Sequence, residues 1–319
     1  MTDEPTPMAR TDAPTATVLW YSQTGQAREA AEALLAPLHT AGMKLEWVQI
    51  RPATEYPFPW TLPQFAGIFP EAVDPRGHIP VRTTAPVTAD LVVIAFPVWY
   101  LAPAIPIRSL LITTADIVAG RDVIGLAVCR NVWCAAAVEL AQLVTAAGGR
   151  YLGTISAIDT HSPLITAITT VHWLLTGRRE AFGRFPRAGV TDAELTRLTG
   201  LGERLAHDGS AITDNPAAAP ITPALAAMEL VMAPLFRVFG RIAAASPPGS
   251  LARRAKLTGT AGIIIAALVG GPPIAALTRL VARHRFDNWL DRRLAPAVHP
   301  QGSADRQPSP RRSSRQEFP

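Results

Sequence analysis

Thr17-Val18-Leu19-Trp20-Tyr21 is an apolar run of β-branched and aromatic residues of strand length, and it stops at the small polar segment Ser22-Gln23-Thr24-Gly25-Gln26. Residues 27–35, rich in alanine, leucine and glutamate, predict a helix opening directly behind that segment. Residues 45–50 alternate apolar with polar side chains as a second strand does. Residues 90–96 and 123–128 are instead continuous apolar runs, the pattern of parallel strands buried on both faces. Residues 104–113 and 132–147 read as the helices that follow them, and Gly148-Gly149 stops the second before a fifth strand at 151–158. Strands alternating with helices predict an α/β fold, a doubly wound five-stranded parallel sheet over residues 16–160.

Between the second and third strands, residues 51–88 carry Pro52, Pro57, Pro59, Pro63, Pro70, Pro75, Pro80 and Pro86, too many for a helix interior, and predict a long irregular insertion. Tyr56, Phe58, Trp60, Phe65 and Phe69 argue that it is ordered, either as the wall of a lipophilic pocket or as a cover over the sheet. Residues 161–298 read as a helical extension. Within it, 164–175 are apolar, Thr191-Asp192-Ala193-Glu194 is a capping box for a helix to about residue 207, 213–221 looks like a linker, and 223–245 form a mostly apolar helix. Residues 257–278 hold no charge over 22 positions, close to what a bilayer crossing needs. Gly270-Gly271-Pro272-Pro273 predicts a break in the middle, hence a re-entrant helical hairpin or an interface-bound helix pair; a pair buried against the sheet domain is the alternative.

Composition sharpens the membrane question. Hydrophobic residues make up 48% of the 319-residue chain and charged residues 17%, with 30 prolines and a mean hydropathy of +0.18, drier than an ordinary cytosolic enzyme. The net charge of +5 is uneven: residues 1–249 carry 18 Lys and Arg against 21 Asp and Glu, and residues 250–319 carry 12 against 4. Arg253, Arg254 and Lys256 before the apolar span, and Arg279, Arg283, His284 and Arg285 after it, suit an anionic membrane face. The expectation is a cytoplasmic protein held peripherally or monotopically on the inner face of the membrane through residues 257–285. No basic-aromatic interleaving or nucleic-acid motif accompanies this charge, so nucleic acid is not an expected partner. Residues 299–319 read as a solvated, disordered basic tail, and residues 1–15, with three acidic residues and no apolar stretch, as a loose arm rather than a secretory signal. Cys129 and Cys134 make neither a disulfide framework nor a zinc pattern; they fit a reducing compartment, and no metal site is expected.

The loop at 22–26 has a physical use. Backbone N–H groups and the positive end of a helix gather there, Ser22 and Thr24 add hydroxyls, and Gly25 lets the backbone come close to a ligand. A bare turn between strand and helix is the plain alternative. The order strand, Ser-Gln-Thr-Gly-Gln, helix resembles the phosphate loop of flavodoxin-like proteins, which grips the terminal phosphate of flavin mononucleotide (FMN). The fold so implied has strand order 2-1-3-4-5, with ligands bound where strands 1 and 3 part. Pro97-Val98-Trp99-Tyr100 follows the third strand, where that family sets an aromatic residue against the isoalloxazine ring; packing is the alternative for Trp99. No Gly-x-Gly-x-x-Gly follows the first strand, which argues against a dinucleotide-type Rossmann domain.

Tyr-Ser-Gln-Thr-Gly-Gln at 21–26, Tyr-Pro-Phe-Pro-Trp at 56–60, Cys-Arg-Asn-Val-Trp at 129–133, Leu-Leu-Thr-Gly-Arg-Arg-Glu at 174–180 and Phe-Pro-Arg-Ala-Gly-Val at 185–190 together resemble one flavodoxin-like family, the dialkylresorcinol condensing enzymes, over about residues 16–290. The resemblance implies FMN held by Ser22, Gln23, Thr24, Gly25, Gln26, Pro97, Val98, Trp99, Tyr100, Cys129, Arg130, Asn131 and Trp133. It also implies an aromatising oxidation: a lipophilic dialkyl-cyclohexanedione, made with a ketosynthase and an acyl carrier protein of the same pathway, loses a hydride to flavin. His161, just past the fifth strand, is the candidate base because imidazole titrates near neutrality, and Arg130 the candidate partner of a developing enolate oxygen. A structural histidine and an ordinary salt bridge are the plain alternatives. Neither cysteine has a ketosynthase-type setting. The alternative functions are an NAD(P)H-dependent flavin or quinone reductase, with NAD(P)H as second cofactor, and a flavin-free, membrane-docked binding module. A homodimer is common among flavodoxin-like reductases.

Overall fold

The computed structural model describes residues 13–207, 215 and 217–298. Most of the expected N-terminal arm, residues 213, 214 and 216 of the 213–221 linker and the expected basic tail lie outside the described residues. The first unit is β1 (Thr15–Trp20), α1 (Gln26–Thr40) and β2 (Lys44–Pro52). The insertion is less irregular than its prolines suggest, because it holds α2 (Leu62–Gly67), α3 (Phe69–Val73) and β3 (Val81–Thr83). Pro63 and Pro70 sit in the first turns of α2 and α3, where no helical N–H is needed, and Thr61 and Gln64 close a full capping box on α2.

The chain continues through β4 (Leu91–Trp99), the two-residue β5 (Ala102–Pro103), α4 (Ile105–Thr113), β6 (Asp122–Cys129), α5 (Cys134–Ala146) and β7 (Arg150–Ile158). Strands lie in the order β3-β2-β1-β4-β6-β7, with β5 on β4. The five long strands are parallel and follow the 2-1-3-4-5 order. The sheet as a whole is mixed and seven-stranded rather than a clean parallel five, since β3 and β5 add antiparallel to β2 and β4. Both additions are too short to leave a periodic signature in sequence.

The remaining elements are α6 (Pro163–Thr176), α7 (Asp192–His207), α8 (Pro223–Ala244), α9 (Leu251–Val281) and α10 (Arg283–Val298). Two of them complete the sheet's cover. Leu198 and Leu201 of α7 join Leu34 of α1 over one face, against Val18, Leu126 and Ile155. Leu290 and Leu294 of α10 join Ile107 of α4 and Leu140 of α5 over the other. Thr191 caps α7 as predicted, but Glu194 does not close the capping box. Its carboxylate accepts the Ile158 N–H of β7 at 3.0 Å and pairs with Arg197 at 2.7 Å.

The predicted break at Gly270-Gly271-Pro272-Pro273 does not occur. α9 runs unbroken through 31 residues, capped by Ser250, and the chain reverses at Ala282 instead. Proline's fixed φ suits a helix, so the prolines cost local hydrogen bonds without forcing a turn, and α8 packs alongside. A Cβ on Gly271 would lie 2.8 Å from Met228 Cγ, so glycine is what lets the two helices approach there. The result is neither a re-entrant hairpin nor a buried pair: Val269, Leu277, Leu280 and Val281 stay exposed. By length and composition alone, α8 and α9 are each long and apolar enough to cross a membrane.

One buried ionic network fixes these parts to each other. Arg108 of α4 has no exposed surface; its Nε donates to Glu139 Oε1 at 2.8 Å and its Nη2 to the Ala72 carbonyl at 2.7 Å. Glu139 Oε2 accepts from Arg237 of α8 at 3.0 Å, and Arg253 of α9 pairs with Glu71 of α3 at 2.7 Å. Truncating Arg108 would leave Glu139 buried with only the half-exposed Arg237 for a partner. We expect Arg108→Ala to cost about 3–5 kcal/mol in denaturant unfolding. Arg254→Ala, at an exposed position with no ion pair among the described residues, should cost under about 0.5 kcal/mol.

Candidate functional site

The carboxyl ends of β1, β4 and β6 open on one crevice of about 370 Å³, at the point where the chain order reverses between β1 and β4. That volume lies in the range of small-molecule sites. Gly25 ends the first loop in the left-handed region at φ +82°, with nothing within 4 Å of where a Cβ would stand. Ser22 Oγ accepts the Ala27 N–H at 3.1 Å and so orders the loop rather than facing a ligand. Gln23 is also engaged: its Nε2 donates to the Pro57 carbonyl at 2.5 Å and its Oε1 accepts from Trp60 Nε1 at 2.9 Å. Gln26, with its amide turned to satisfy its neighbours, accepts from the Val190 N–H at 2.6 Å and from Arg179 at 3.1 Å. The Thr24 hydroxyl has no protein partner among the described residues and lines the crevice.

The second loop is a tight hairpin. β4 ends at Trp99, Tyr100 (φ +51°) and Leu101 (φ +65°) turn the chain, and β5 pairs back onto Val98 and Trp99. Two successive non-glycine residues in the left-handed region cost on the order of 1 kcal/mol or more each, and persist only when packing over-determines them. Here the Tyr100 hydroxyl donates to the Phe65 carbonyl at 2.7 Å, and Leu101 is buried. Trp99 is gripped edge-to-face by Tyr21, Tyr56 and Trp60 at ring-centroid distances of 5.8, 5.0 and 6.2 Å. Of the insertion's aromatic residues, Trp60 and Phe65 line the crevice, as a pocket wall would, while Phe69 is buried against Phe236 of α8 rather than over the sheet.

The third loop follows β6. Arg130 lines the crevice, half-buried, and its guanidinium has no hydrogen bond or ion pair among the described residues; burial draws its pKa below the usual range. Cys129 also lines the crevice, but burial and the nearby Glu229 carboxylate push its thiol far up, and Cys134 is shifted the same way. Neither is an activated nucleophile. Trp133 is a core residue at 2% exposure, and neither it nor Asn131 belongs to the crevice wall. His161 is likewise outside the wall; its Nδ1 lies 2.7 Å from Oδ1 of the buried Asp159, whose Oδ2 has no partner. Pro97, Val98, Trp99 and Tyr100 all line the crevice, with Gln23, Thr24, Gln26, Cys129 and Arg130; Ser22 and Gly25 shape the loop behind it.

Sequence reasoning missed the outer wall. Val171 and Trp173 of α6, Met228, Met232 and Phe236 of α8 and Ile264 of α9 close the crevice opposite the strands. The only prior signal was the 174–190 segment, and Arg179 shows its use: it pairs with Glu29 at 2.8 Å, bonds the Ala188 carbonyl and lies 5.3 Å over the Trp173 ring. Also missed was Glu229, buried on α8, whose carboxylate accepts the Ala135 N–H of α5 at 3.1 Å and also the N–H groups of Cys134 and Trp133. Among the described residues there is no group of three or more His, Cys, Asp or Glu that could hold a metal.

Strand order and crevice together define a flavodoxin-like α/β fold with a helical C-terminal part. No family model matches the chain, and no curated protein sequence matches it. Among solved structures, a flavoprotein in complex with FMN from Lactobacillus acidophilus is 16% identical, covering 46% of this chain and 93% of its own, with a TM-score of 0.37. A flavodoxin from the domain Archaea is 13% identical, over 60% of this chain and 96% of its own, TM-score 0.34. An NAD(P)H:quinone oxidoreductase from Methanothermobacter marburgensis is 11% identical, over 61% and 100%, TM-score 0.30. These likenesses are low, and the fold class rests on the strand order.

Glu229 makes a pH-dependent contribution to stability. Burial pushes its pKa from 4.5 to about 8, against the opposing pull of the N–H groups it accepts. Between those two values the folded chain keeps a proton that the unfolded chain has lost, so stability falls as pH rises across that window. We expect Glu229→Gln to remove a slope approaching about 1.4 kcal/mol per pH unit, read from denaturant midpoints between pH 5 and 8.

Proposed function

We propose that the protein binds FMN in the crevice and uses it to aromatise a lipophilic dialkyl-cyclohexanedione, in the biosynthesis of dialkylresorcinol-type lipids. The observation that carries this reading is the meeting of the free Thr24 hydroxyl, Trp99 and an unpaired Arg130 around one crevice whose outer wall is apolar. The residues fit the cofactor. Thr24 and the N–H groups at the start of α1 would hold the phosphate, with Gly25 leaving the approach open. Pro97, Val98 and Trp99 would bound the ring.

Bound FMN would accept the hydride from a substrate ring carbon. Arg130 would hold the negative charge that develops on the dione oxygen, because its guanidinium makes no direct hydrogen bond or ion pair among the described residues and its surroundings are poorly solvated. The crevice wall itself holds no carboxylate or imidazole, and His161, the expected base, stands outside it with Asp159 holding its Nδ1, so the proton from the neighbouring ring carbon would leave to water rather than to a wall residue. The reading extends to membrane attachment. The exposed apolar side chains of α9 lie between Arg254 and Lys256 at one end and Arg279 and Arg283 at the other, which supports peripheral docking on an anionic inner membrane face. A ketosynthase and an acyl carrier protein are its proposed pathway partners.

The visible absorption spectrum of the protein purified in mild detergent and reconstituted with FMN tests this. Oxidised flavin bands should persist on anaerobic addition of NAD(P)H and bleach with a dialkyl-cyclohexanedione. Thr24→Ala and Trp99→Ala should each weaken FMN binding about tenfold, and Arg130→Gln should slow bleaching about a hundredfold or more with FMN affinity little changed. Bleaching by NAD(P)H alone would make the protein a reductase. Absence of flavin bands after reconstitution would leave a binding module and sink both enzyme readings.

A further inference from the structure

A second concavity adjoins the crevice. Between α8, α9 and α10 lies a groove of about 430 Å³, floored by Ala275 and Trp289 and rimmed by Val231, Ile274 and Thr278. Met228, Met232 and Ala267 line both this groove and the crevice, so these three side chains are the partition between them. Two of the three are methionines, unbranched side chains that adapt to what lies against them. Met228 is seated against Gly271, where any side chain would displace it. The groove's charged lining residue is Arg285, exposed and beside the turn between α9 and α10. Its other end abuts the crevice through the methionine partition.

We propose that this groove is a second arm of the binding site and takes an unbranched hydrocarbon chain of the molecule whose ring occupies the crevice. The chain passes between Met228 and Met232 and lies along α9 toward Arg285. The proposal rests on the crevice being the ring site, as argued above. What singles out this occupant is continuity: the groove shares its innermost wall with the crevice, and an adaptable, apolar partition suits a hydrocarbon chain crossing it. Val231 and Ile274 at the rim are more than half exposed, at 52% and 67%, apolar surface that a bound chain would cover.

The test is equilibrium binding of 5-alkylresorcinols of increasing unbranched chain length to the full chain, with and without FMN. Affinity should rise about fourfold per added methylene until the groove is filled, then level off. Ala275→Trp should bring that plateau to shorter chains. Ile274→Asp, at an exposed position that folding does not depend on, should weaken long-chain binding at least tenfold and leave the shortest homologue and FMN unaffected. Affinity independent of chain length, or a plateau that neither substitution moves, overturns the proposal. So does a result in which Ile274→Asp abolishes binding to phosphatidylglycerol vesicles yet leaves the chain-length series unchanged, since the groove would then be a membrane seat. If FMN fails to bind but the series still responds to Ile274→Asp, the groove assignment stands and the flavin reading falls.

Discussion

A guanidinium with no exposed surface must find every partner inside the protein, and Arg108 does so by drawing three parts of the chain together. Its partners are a carboxylate on α5 and carbonyls at the end of α3, groups that a short helix cannot satisfy by itself. Glu139 then spends its second oxygen on Arg237, which brings α8 into the same arrangement. The insertion, the helices on one face of the sheet and the C-terminal helices therefore assemble as a unit. Glu229 adds a second tie from α8 to α5, at the helix start just behind the Cys129–Arg130 loop. Through these two ties the outer wall of the crevice is held in register with the strand ends.

The two walls differ in mechanical character. On the strand side, Trp99 stands in a cage of aromatic rings, and the left-handed turn that presents it is pinned by Tyr100 and Leu101. Such a surface is preorganised, which is what positioning a planar ring requires. On the helix side, Met228 and Met232 offer a wall that re-forms around different shapes. A rigid platform facing an adaptable wall suits a ligand with one planar part and one flexible part.

Burial also explains the silence of groups that look reactive in sequence. Cys129 and Cys134 lie beside a buried carboxylate in poorly solvated surroundings, so their thiols stay protonated. Arg130, next to Cys129, is the exception: a charge kept at the crevice with no direct ion pair or guanidinium hydrogen bond among the described residues, attracted only at longer range by Asp159.

The order of strands and helices, the polar loop after the first strand and the aromatic loop were legible in the chain because each is local. Thr17 to Gly25 carries its own periodicity, punctuation and chemistry, and so does the apolar run that ends at Trp99. Three things were decided only by packing. α9 runs through Pro272 and Pro273 because α8 lies against it, where local propensity alone argues for a break. Trp133 went to the core cluster, among side chains contributed from β1 to α10, instead of to the crevice wall. The outer wall, and the methionine partition within it, depend on where α8 and α9 settle against strands more than a hundred residues earlier, and no window of sequence holds that distance.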